Sequence, residues 1–484
     1  MNLANVVVGH DGEQVALIDG DEVVTFGDLR ARAAALQLQL RELGVGPDDA
    51  VGLAAGNETH FAVATFAVLG LGGIVMPLNP SSRLPEMQEK IESGKPVALL
   101  VGDVGGDVLS YADDLSVPTL GLSELASGAS TASADDGSFV VVDRDDDDRA
   151  FFMATSGVSG SPKVAVLSHR NLSWVQEALN TGPEALTDDD VVLGVLPFAH
   201  IFGLNVILLA SLRIGARIVL QRRFDADESV DLVRDHGVTI LAGAPPMWSR
   251  WAAIDAPDDS LASVRYGASG AAALPLGVFE AVRDRFGIEV AQGYGLTETS
   301  PVVTHGRGFP VRPSSVGKVM DGVTVALVDA SGAPVDVGDE GEVVVRSPGV
   351  FQGYLDDVAT TESVLTADGW LWTGDVGIFD DDGYLYLVDR IKDVVIVSGF
   401  NVYPAEVENV LMRHPDVTGA IVTGAACEET GEKVVAHVTG TSDRAGLEAF
   451  VASQLTRYKR PTEYYFLDEL PIAATGKAIR RALR

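Results

Sequence analysis

Cysteine is almost absent: Cys427 is the only one in 484 residues. A single thiol closes no intrachain disulfide and builds no cysteine-ligated metal cluster, so the cytoplasm is the expected location. The run Thr423–Glu428 sets acidic charge beside that thiol, which disfavours the thiolate a catalytic cysteine needs. Basic residues are also scarce, 35 Lys and Arg against 69 Asp and Glu, and arginine outnumbers lysine. The resulting net charge of -34 repels nucleic acid and anionic membranes and favours solubility. Unbroken apolar runs of membrane length are missing too. Of the two longest uncharged stretches, Phe61 to Arg83 is interrupted by Gly70, Gly72, Gly73 and Pro77, and Val191 to Arg213 by Pro197, His200 and Asn205. Each therefore reads as a buried helix and strand joined by a turn, with no integral membrane segment expected. The start, Met1–Asn5 followed by Asp11 and Glu13, lacks the basic and apolar regions of a signal peptide, so secretion by that route is not expected.

What is present is an ordinary globular composition, 46% hydrophobic, long enough for about two to four domains or subdomains. Gly12 to Val24 reads as a hairpin turning at Ile18-Asp19-Gly20-Asp21. Thr25 then caps a helix that Gly44 closes. A strand at Val51–Leu53, a helix at Glu58–Gly70 and a strand at Gly73–Pro77 follow. This alternation predicts layered α/β sheets. The run Asp145–Asp148 reads as a solvated loop rather than a metal site, because consecutive carboxylates do not converge on one ion unaided. Ile240–Pro246 and Ser263–Ala271 have the small-residue tips where open α/β sheets place ligands. From Gly317 the pattern changes to short strands, predicting a small β-barrel or sheet subdomain. Past Arg390 a helix at Pro404–Met412, strands at Ala420–Thr423 and Val434–Val438 and a helix at Leu447–Leu455 predict a compact α+β unit. The expected domains are 1–390 and 391–484, with Arg390–Asp393 as linker.

The stretch Thr155-Ser156-Gly157-Val158-Ser159-Gly160-Ser161-Pro162-Lys163 combines hydroxyls, spaced glycines and one lysine. Glycines let a loop curl its backbone N–H groups inward, hydroxyls add donors, and Lys163 adds positive charge, a composition suited to phosphate. The apolar run Ala150–Ala154 predicts a buried strand feeding it. The spacing is not that of a Walker loop, and a Ser/Gly-rich surface turn has the same composition. In Gln292-Gly293-Tyr294-Gly295-Leu296-Thr297-Glu298-Thr299, a flat aromatic between glycines precedes a hydroxyl and a carboxylate. Trp370–Asp375 delivers a carboxylate at a tight turn, suited to a diol. The last two stretches are Asp389–Asp393 with Val397–Glu408, and Pro471-Ile472-Ala473-Ala474-Thr475-Gly476-Lys477.

These five stretches, in this order, resemble the adenylate-forming superfamily: acyl-CoA synthetases, aryl-CoA ligases such as 4-coumarate ligase, nonribosomal adenylation domains and firefly luciferase. The resemblance runs from Thr25-Phe26 to Lys477. It implies a large N-terminal domain, a small mobile C-terminal domain and a site at their junction. By matching motif, Thr155, Ser156, Gly157, Ser159, Gly160 and Lys163 would wrap the β- and γ-phosphates of ATP. Gly293, Tyr294 and Gly295 would lie against adenine, with Gly267, Ala268 and Ser269 lining the same pocket. Thr297 would bind the α-phosphate, Glu298 would hold Mg²⁺, and Asp375 and Arg390 the ribose. Lys477 would reach the carboxylate and α-phosphate from the small domain. Lys392 would be the hinge about which Ser398, Gly399 and Phe400 swing in to line a pantetheine tunnel for CoA.

Pro197–Gly203 matches the segment that shapes the acid pocket in such ligases. His200 would sit near the carboxylate, although a lone histidine among apolar residues also suits a core. Ala242–Pro246 and Ala268 add small side chains, favouring an apolar acyl or aryl acid. The expected partners are thus a small carboxylic acid, ATP and CoA, with a homodimer left open. The alternatives are an enzyme loading a carrier protein, a luciferase-like oxygenase, and a nucleotide-binding protein without catalysis. One departure stands out: Val164, not glycine, follows Lys163. A β-branched residue favours extended backbone, so the strand leaving the loop is expected to start one residue early, with reduced loop mobility.

Overall fold

The structure is a computed structural model that describes all residues except 81, 104–105, 111, 116, 124–137, 156–162, 183, 391–392, 399, 428–429, 442, 472–479 and 484. Two large sheets carry the first 300 residues. In the seven-stranded sheet the spatial order is Ala291–Gln292, Tyr266–Ser269, Ile240–Gly243, Val191–Gly194, Arg217–Leu220, Val15–Asp19 and Glu22–Thr25. In the six-stranded sheet it is Thr119–Gly121, Ala98–Val101, Ala50–Ala54, Ile74–Leu78, Arg149–Thr155 and Lys163–Ser168. Both are parallel except for one terminal antiparallel pair. Parallel strands are covered on both faces, which is why runs such as Val191-Val192-Leu193 are apolar throughout and wholly buried.

The expected hairpin forms at Val15–Thr25, with Gly20 supplying the left-handed residue of its turn at φ +61°. Helix Phe26–Glu42 starts at a complete capping box, Thr25 receiving the Asp28 N–H while Asp28 accepts the Thr25 N–H. The Thr25 cap also holds the Asp28 carboxyl below its ordinary range. The uncharged stretch from Phe61 divides as expected, into helix Thr59–Gly70 and strand Ile74–Leu78. That helix is buried on nearly every side and shares one apolar core with inner residues of both sheets. Among the described residues no helix is long and apolar enough to cross a membrane.

Residues Asp145–Asp147 are exposed, and the run pairs with Arg144, Arg170 and the chain's amino terminus rather than converging on a point. The β-rich region is a four-stranded antiparallel sheet, Thr324–Val328, Gly341–Arg346, Leu371–Phe379 and Leu385–Arg390 in that order. Beyond it a separate core joins helices Pro404–Leu411 and Arg444–Gln454 to a five-stranded sheet. Hydrogen bonds connect this last unit to the four-stranded region, with Tyr403 Oη donating to Glu340 (2.6 Å) and the Ala405 N–H to Asp389 (2.9 Å).

Candidate active site

The carboxyl ends of two neighbouring parallel strands bring two of the predicted stretches together, and a third joins them from the antiparallel sheet. Ala268 and Ser269 pair in register with Ala291 and Gln292, and the Gly293 N–H donates to the Ser269 carbonyl at 3.0 Å. Gly267 has a packing reason to lack a side chain, since a Cβ there would come within 2.7 Å of Ile288. Gly295 is more constrained still: a Cβ would overlap the Pro301 carbonyl. Between Gly293 and Gly295, Tyr294 is held by its backbone against Val303 and Thr304, and its hydroxyl donates to Asp375 Oδ2 at 2.7 Å.

Asp375 corrects one sequence expectation. It does not lie at a tight turn but within strand Leu371–Phe379, beside an irregularity in the pairing with Gly341–Arg346. Gly374, at φ +71°, absorbs the distortion, and its N–H is held by Glu342 at 3.0 Å. The bulge re-aims a carboxylate that is only 5% exposed, so Tyr294 meets it away from solvent. Burial pushes the Glu342 carboxyl up; the Gly374 N–H opposes this and the nearby Asp375 charge adds to it. Arg390 pairs with Asp375 across the next strand, which places its backbone at the same level of the sheet.

Thr297 and Glu298 begin a single 3₁₀ turn ending at Thr299. The turn is tied at several points. The Thr299 hydroxyl bonds back to Leu296 and forward to Pro301, and the Glu298 carbonyl accepts the Phe351 N–H at 2.9 Å. Glu298 Oε1 accepts the Tyr354 hydroxyl at 2.7 Å. Burial, then the Glu298 charge, raise the Tyr354 pKa, so the phenol stays protonated and donating. Over the same ring lies Lys163 Nζ, 5.1 Å from its centre. Lysine, tyrosine and glutamate thus form a chain from the foot of the phosphate-type loop to the turn.

Lys163 starts strand Lys163–Ser168, and Thr155 ends the strand feeding the loop; the two residues pair, with Thr155 Oγ1 3.3 Å from the Lys163 carbonyl. The strand leaving the loop begins at Lys163 itself, with Val164 as its second residue. Val164 itself is buried in the core with Phe152 and Val166. Ser156, Gly157, Ser159 and Gly160 lie outside the described residues, as do Lys392, Gly399 and Lys477. Ser398 adopts φ +51° between two short strands, and Phe400 stacks on Tyr458 with ring centres 4.8 Å apart. Ala271, Ser300 and Ser398 are three of the seven described non-glycine residues with positive φ, so backbone strain gathers beside the predicted motifs.

The Pro197–Gly203 segment is fixed by a residue the sequence reading missed. Asn57 donates to the Gly194 and Leu196 carbonyls (2.8 and 2.9 Å) and accepts the Phe198 N–H (3.0 Å), clamping the entry to Pro197–Gly203. His200 follows, and burial, then the charge of Lys90, lower its pKa, so the imidazole is neutral at neutral pH. Phe202 lies so close to Gly270 that a Cβ there would meet its ring at 2.9 Å. Trp248 is fully buried and donates Nε1–H to the Ala268 carbonyl at 3.0 Å, with Trp251 edge-on behind it. Tyr354 also escaped the sequence reading, although Gly353-Tyr354 repeats the glycine-then-tyrosine pattern of Gly293-Tyr294.

The Glu298 site suits a hard cation. Its carboxylate is half-buried, with Oε1 on the Tyr354 hydroxyl, and oxygen donors of this kind hold magnesium together with phosphate oxygens.

Residues 5–355 match the AMP-binding enzyme family and residues 406–477 the AMP-binding enzyme C-terminal domain. The chain is 35% identical to 4-coumarate–CoA ligase 5 of Oryza sativa subsp. japonica, over 98% of this chain and 91% of that protein. Its fold matches ATP-bound MatB from Rhodopseudomonas palustris with a TM-score of 0.92 at 29% identity, covering 100% of this chain and 98% of the other. It also matches o-succinylbenzoate CoA synthetase (MenE) from Bacillus subtilis in complex with its acyl-adenylate intermediate, with a TM-score of 0.88 at 29% identity and coverage of 100% and 98%. Full-length similarity to such enzymes, together with the arrangement of Tyr294, Glu298 and Asp375, places the chain in the AMP-binding, adenylate-forming enzyme family.

Proposed function

We propose that this protein is an ATP-dependent carboxylic acid–CoA ligase whose acid is an apolar acyl or aryl carboxylate. In the first half-reaction a carboxylate oxygen attacks the α-phosphorus of ATP, the bond to pyrophosphate breaks, and acyl-AMP forms. In the second, the CoA sulfur attacks the acyl carbon, AMP leaves, and the thiol proton passes to solvent. Neither step needs a protein nucleophile. What the first step needs is alignment of two anions and neutralisation of their charge.

The observation that supports the reading is the Tyr294–Asp375 hydrogen bond, made three residues before the turn that carries Thr297 and Glu298. In our assignment Tyr294 faces adenine while Asp375, with Arg390, receives the ribose hydroxyls. Thr297 binds the α-phosphate. Lys163 moves from the Tyr354 ring to the β- and γ-phosphates, with the hydroxyls and N–H groups of Thr155 to Gly160 around them. Mg²⁺ held at Glu298 would supply charge neutralisation on the phosphates. Lys477 completes the site for adenylation. Rotation about Lys392 within a chain divided into 1–390 and 391–484 would then exchange it for Ser398, Gly399 and Phe400. His200, half-buried and neutral, leaves the acid pocket uncharged, and the half-buried Phe202 gives it an aromatic wall, which suits a flat or short apolar acid. The cytoplasm supplies ATP and CoA, and the near absence of cysteine suits it.

The test is a panel of apolar, aromatic and charged carboxylic acids assayed for pyrophosphate release with and without CoA. Expected are acid-dependent pyrophosphate release without CoA, and AMP release with thioester only when CoA is added. AMP formation indifferent to CoA would count against the ligase and turn attention to a carrier protein as acceptor.

A further inference from the structure

The acid-side helix contains an irregular segment whose central polar residue has no part in the assignments above. Residues Phe202–Leu209 form a π-helix, wider than an α-helix and often associated with function. Asn205 lies at its middle and is fully buried. Its carboxamide is used completely. Nδ2 donates to the Ser300 carbonyl at 2.6 Å and to the Leu172 carbonyl at 3.3 Å, while Oδ1 accepts from Gln176 Nε2 at 2.8 Å.

Leucine has nearly the same shape, but it would leave the Ser300 carbonyl and the Gln176 amide without this partner. What the amide adds is direction. Ser300 directly follows the Thr297–Thr299 turn, is itself fully buried, and sits at φ +63°, so its carbonyl direction fixes where the turn ends. His200 precedes Asn205 by five residues on the same continuous run, and its carbonyl accepts the Leu204 N–H at 2.8 Å. One side chain therefore joins the backbone that carries His200 to the turn that carries Thr297 and Glu298.

We propose that Asn205 is a positioning residue for adenylation: it sets the Thr297–Glu298 turn in register with the acid pocket. This rests on the assignment of Thr297 and Glu298 to the α-phosphate and the metal ion. Misplacement of reacting groups by about 1 Å costs on the order of 100-fold in rate, so a loosened turn is read mainly in kcat.

The experiment compares Asn205→Leu, Glu298→Gln and Asn180→Leu with the unaltered protein, measuring acid-dependent pyrophosphate release against ATP and Mg²⁺ concentration, with thermal melting alongside. Asn180 is the control, since its amide ties the same two helical runs together through the Ala210 carbonyl at 3.0 Å without reaching the turn. Asn205→Leu is expected to lower kcat roughly 10- to 100-fold, change the KM for ATP less than about 3-fold, and raise the Mg²⁺ concentration needed for half-maximal rate. Asn180→Leu is expected to keep kcat. An unchanged kcat in Asn205→Leu, or an equal fall in Asn180→Leu, overturns the proposal. If Glu298→Gln shifts the Mg²⁺ requirement and Asn205→Leu does not, positioning fails while the metal assignment stands. If Glu298→Gln shifts nothing, the metal assignment fails and the kcat comparison alone decides on Asn205. Should Asn205→Leu not fold, Asn205→Ser carries the same readouts.

Discussion

On the side assigned to the nucleotide, polar side chains hold one another: Tyr294 on Asp375, Tyr354 on Glu298, and Lys163 over the Tyr354 ring. On the side assigned to the acid, Pro197–Gly203 carries no charge at neutral pH; the buried amide of Asn57 grips its entry from behind, while Asn205, farther along the same run, is bonded to the Ser300 backbone. The first wall can recognise a ligand by charge and hydrogen bonds, because those side chains can exchange partners when ATP arrives. The second offers mainly shape, because the Asn57 and Asn205 amides behind it are already committed to the protein. An enzyme built this way keeps one substrate constant and leaves the other open to change by repacking. Substitutions on the two sides should therefore separate cleanly in their kinetics.

The largest separation is expected from Lys477→Ala, which should lower acyl-AMP formation by roughly 100-fold or more while pre-formed acyl-AMP still reacts with CoA, since only the first half-reaction needs charge at the attacking carboxylate. Pyrophosphate release and single-turnover thioester formation measure the two halves; normal acyl-AMP formation would remove the lysine from the mechanism. Next, Asp375→Asn should raise the KM for ATP by roughly 10- to 100-fold with little change in the KM for acid, because a charge-assisted hydrogen bond contributes about 1.5–3 kcal/mol. Equal changes in both constants would erase the distinction between the walls.

Asn57→Ala should do the reverse. It leaves three backbone groups without their partner, so the melting temperature should fall and the KM for acid rise, with that for ATP within about 3-fold. A rise confined to ATP would contradict the acid-side assignment. The smallest effect concerns protons. Because burial lowers the His200 pKa below the ordinary imidazole value of 6.5, the ring takes up a proton only in more acid solution. The acid limb of kcat/KM should then lie below pH 6.5, with a flat profile from there to pH 8, and His200→Gln should abolish that limb. A limb centred above pH 6.5 would mean that His200 is neither neutral nor buried in the working enzyme.

Most of the fold was legible because its signals are local. The Thr25 cap, Gly44, the apolar strand before Thr155 and the glycine-broken run after Phe61 each announce an element from adjacent residues alone. The five motifs were legible for the same reason. Asp375 was misread because a Thr-Gly-Asp triplet has turn composition, and only the neighbouring strand reveals that Gly374 bulges within a sheet. Asn57, Tyr354 and Asn205 were invisible for a different reason: their partners lie far along the chain, 141 residues away for Asn57 with Phe198 and 56 for Tyr354 with Glu298. A lone amide in an apolar run looks the same in sequence whether it clamps a site or caps a loop.

The strand that leaves the phosphate-type loop has one further consequence. Lys163–Ser168 is the last strand of its sheet, and its free edge is covered by Gln352–Leu355, through bonds between Val166 and both Gly353 and Gln352 and between Leu355 and Val164. That cover is synthesised roughly 190 residues later, a delay of roughly 10–40 s at typical elongation rates. Until then the nascent sheet exposes an unpaired apolar edge, the kind of surface that recruits foreign strands. Chains cut short before residue 352 should therefore aggregate even though both large sheets are already encoded, and chaperone demand during expression should ease only once Tyr354 has emerged from the ribosome.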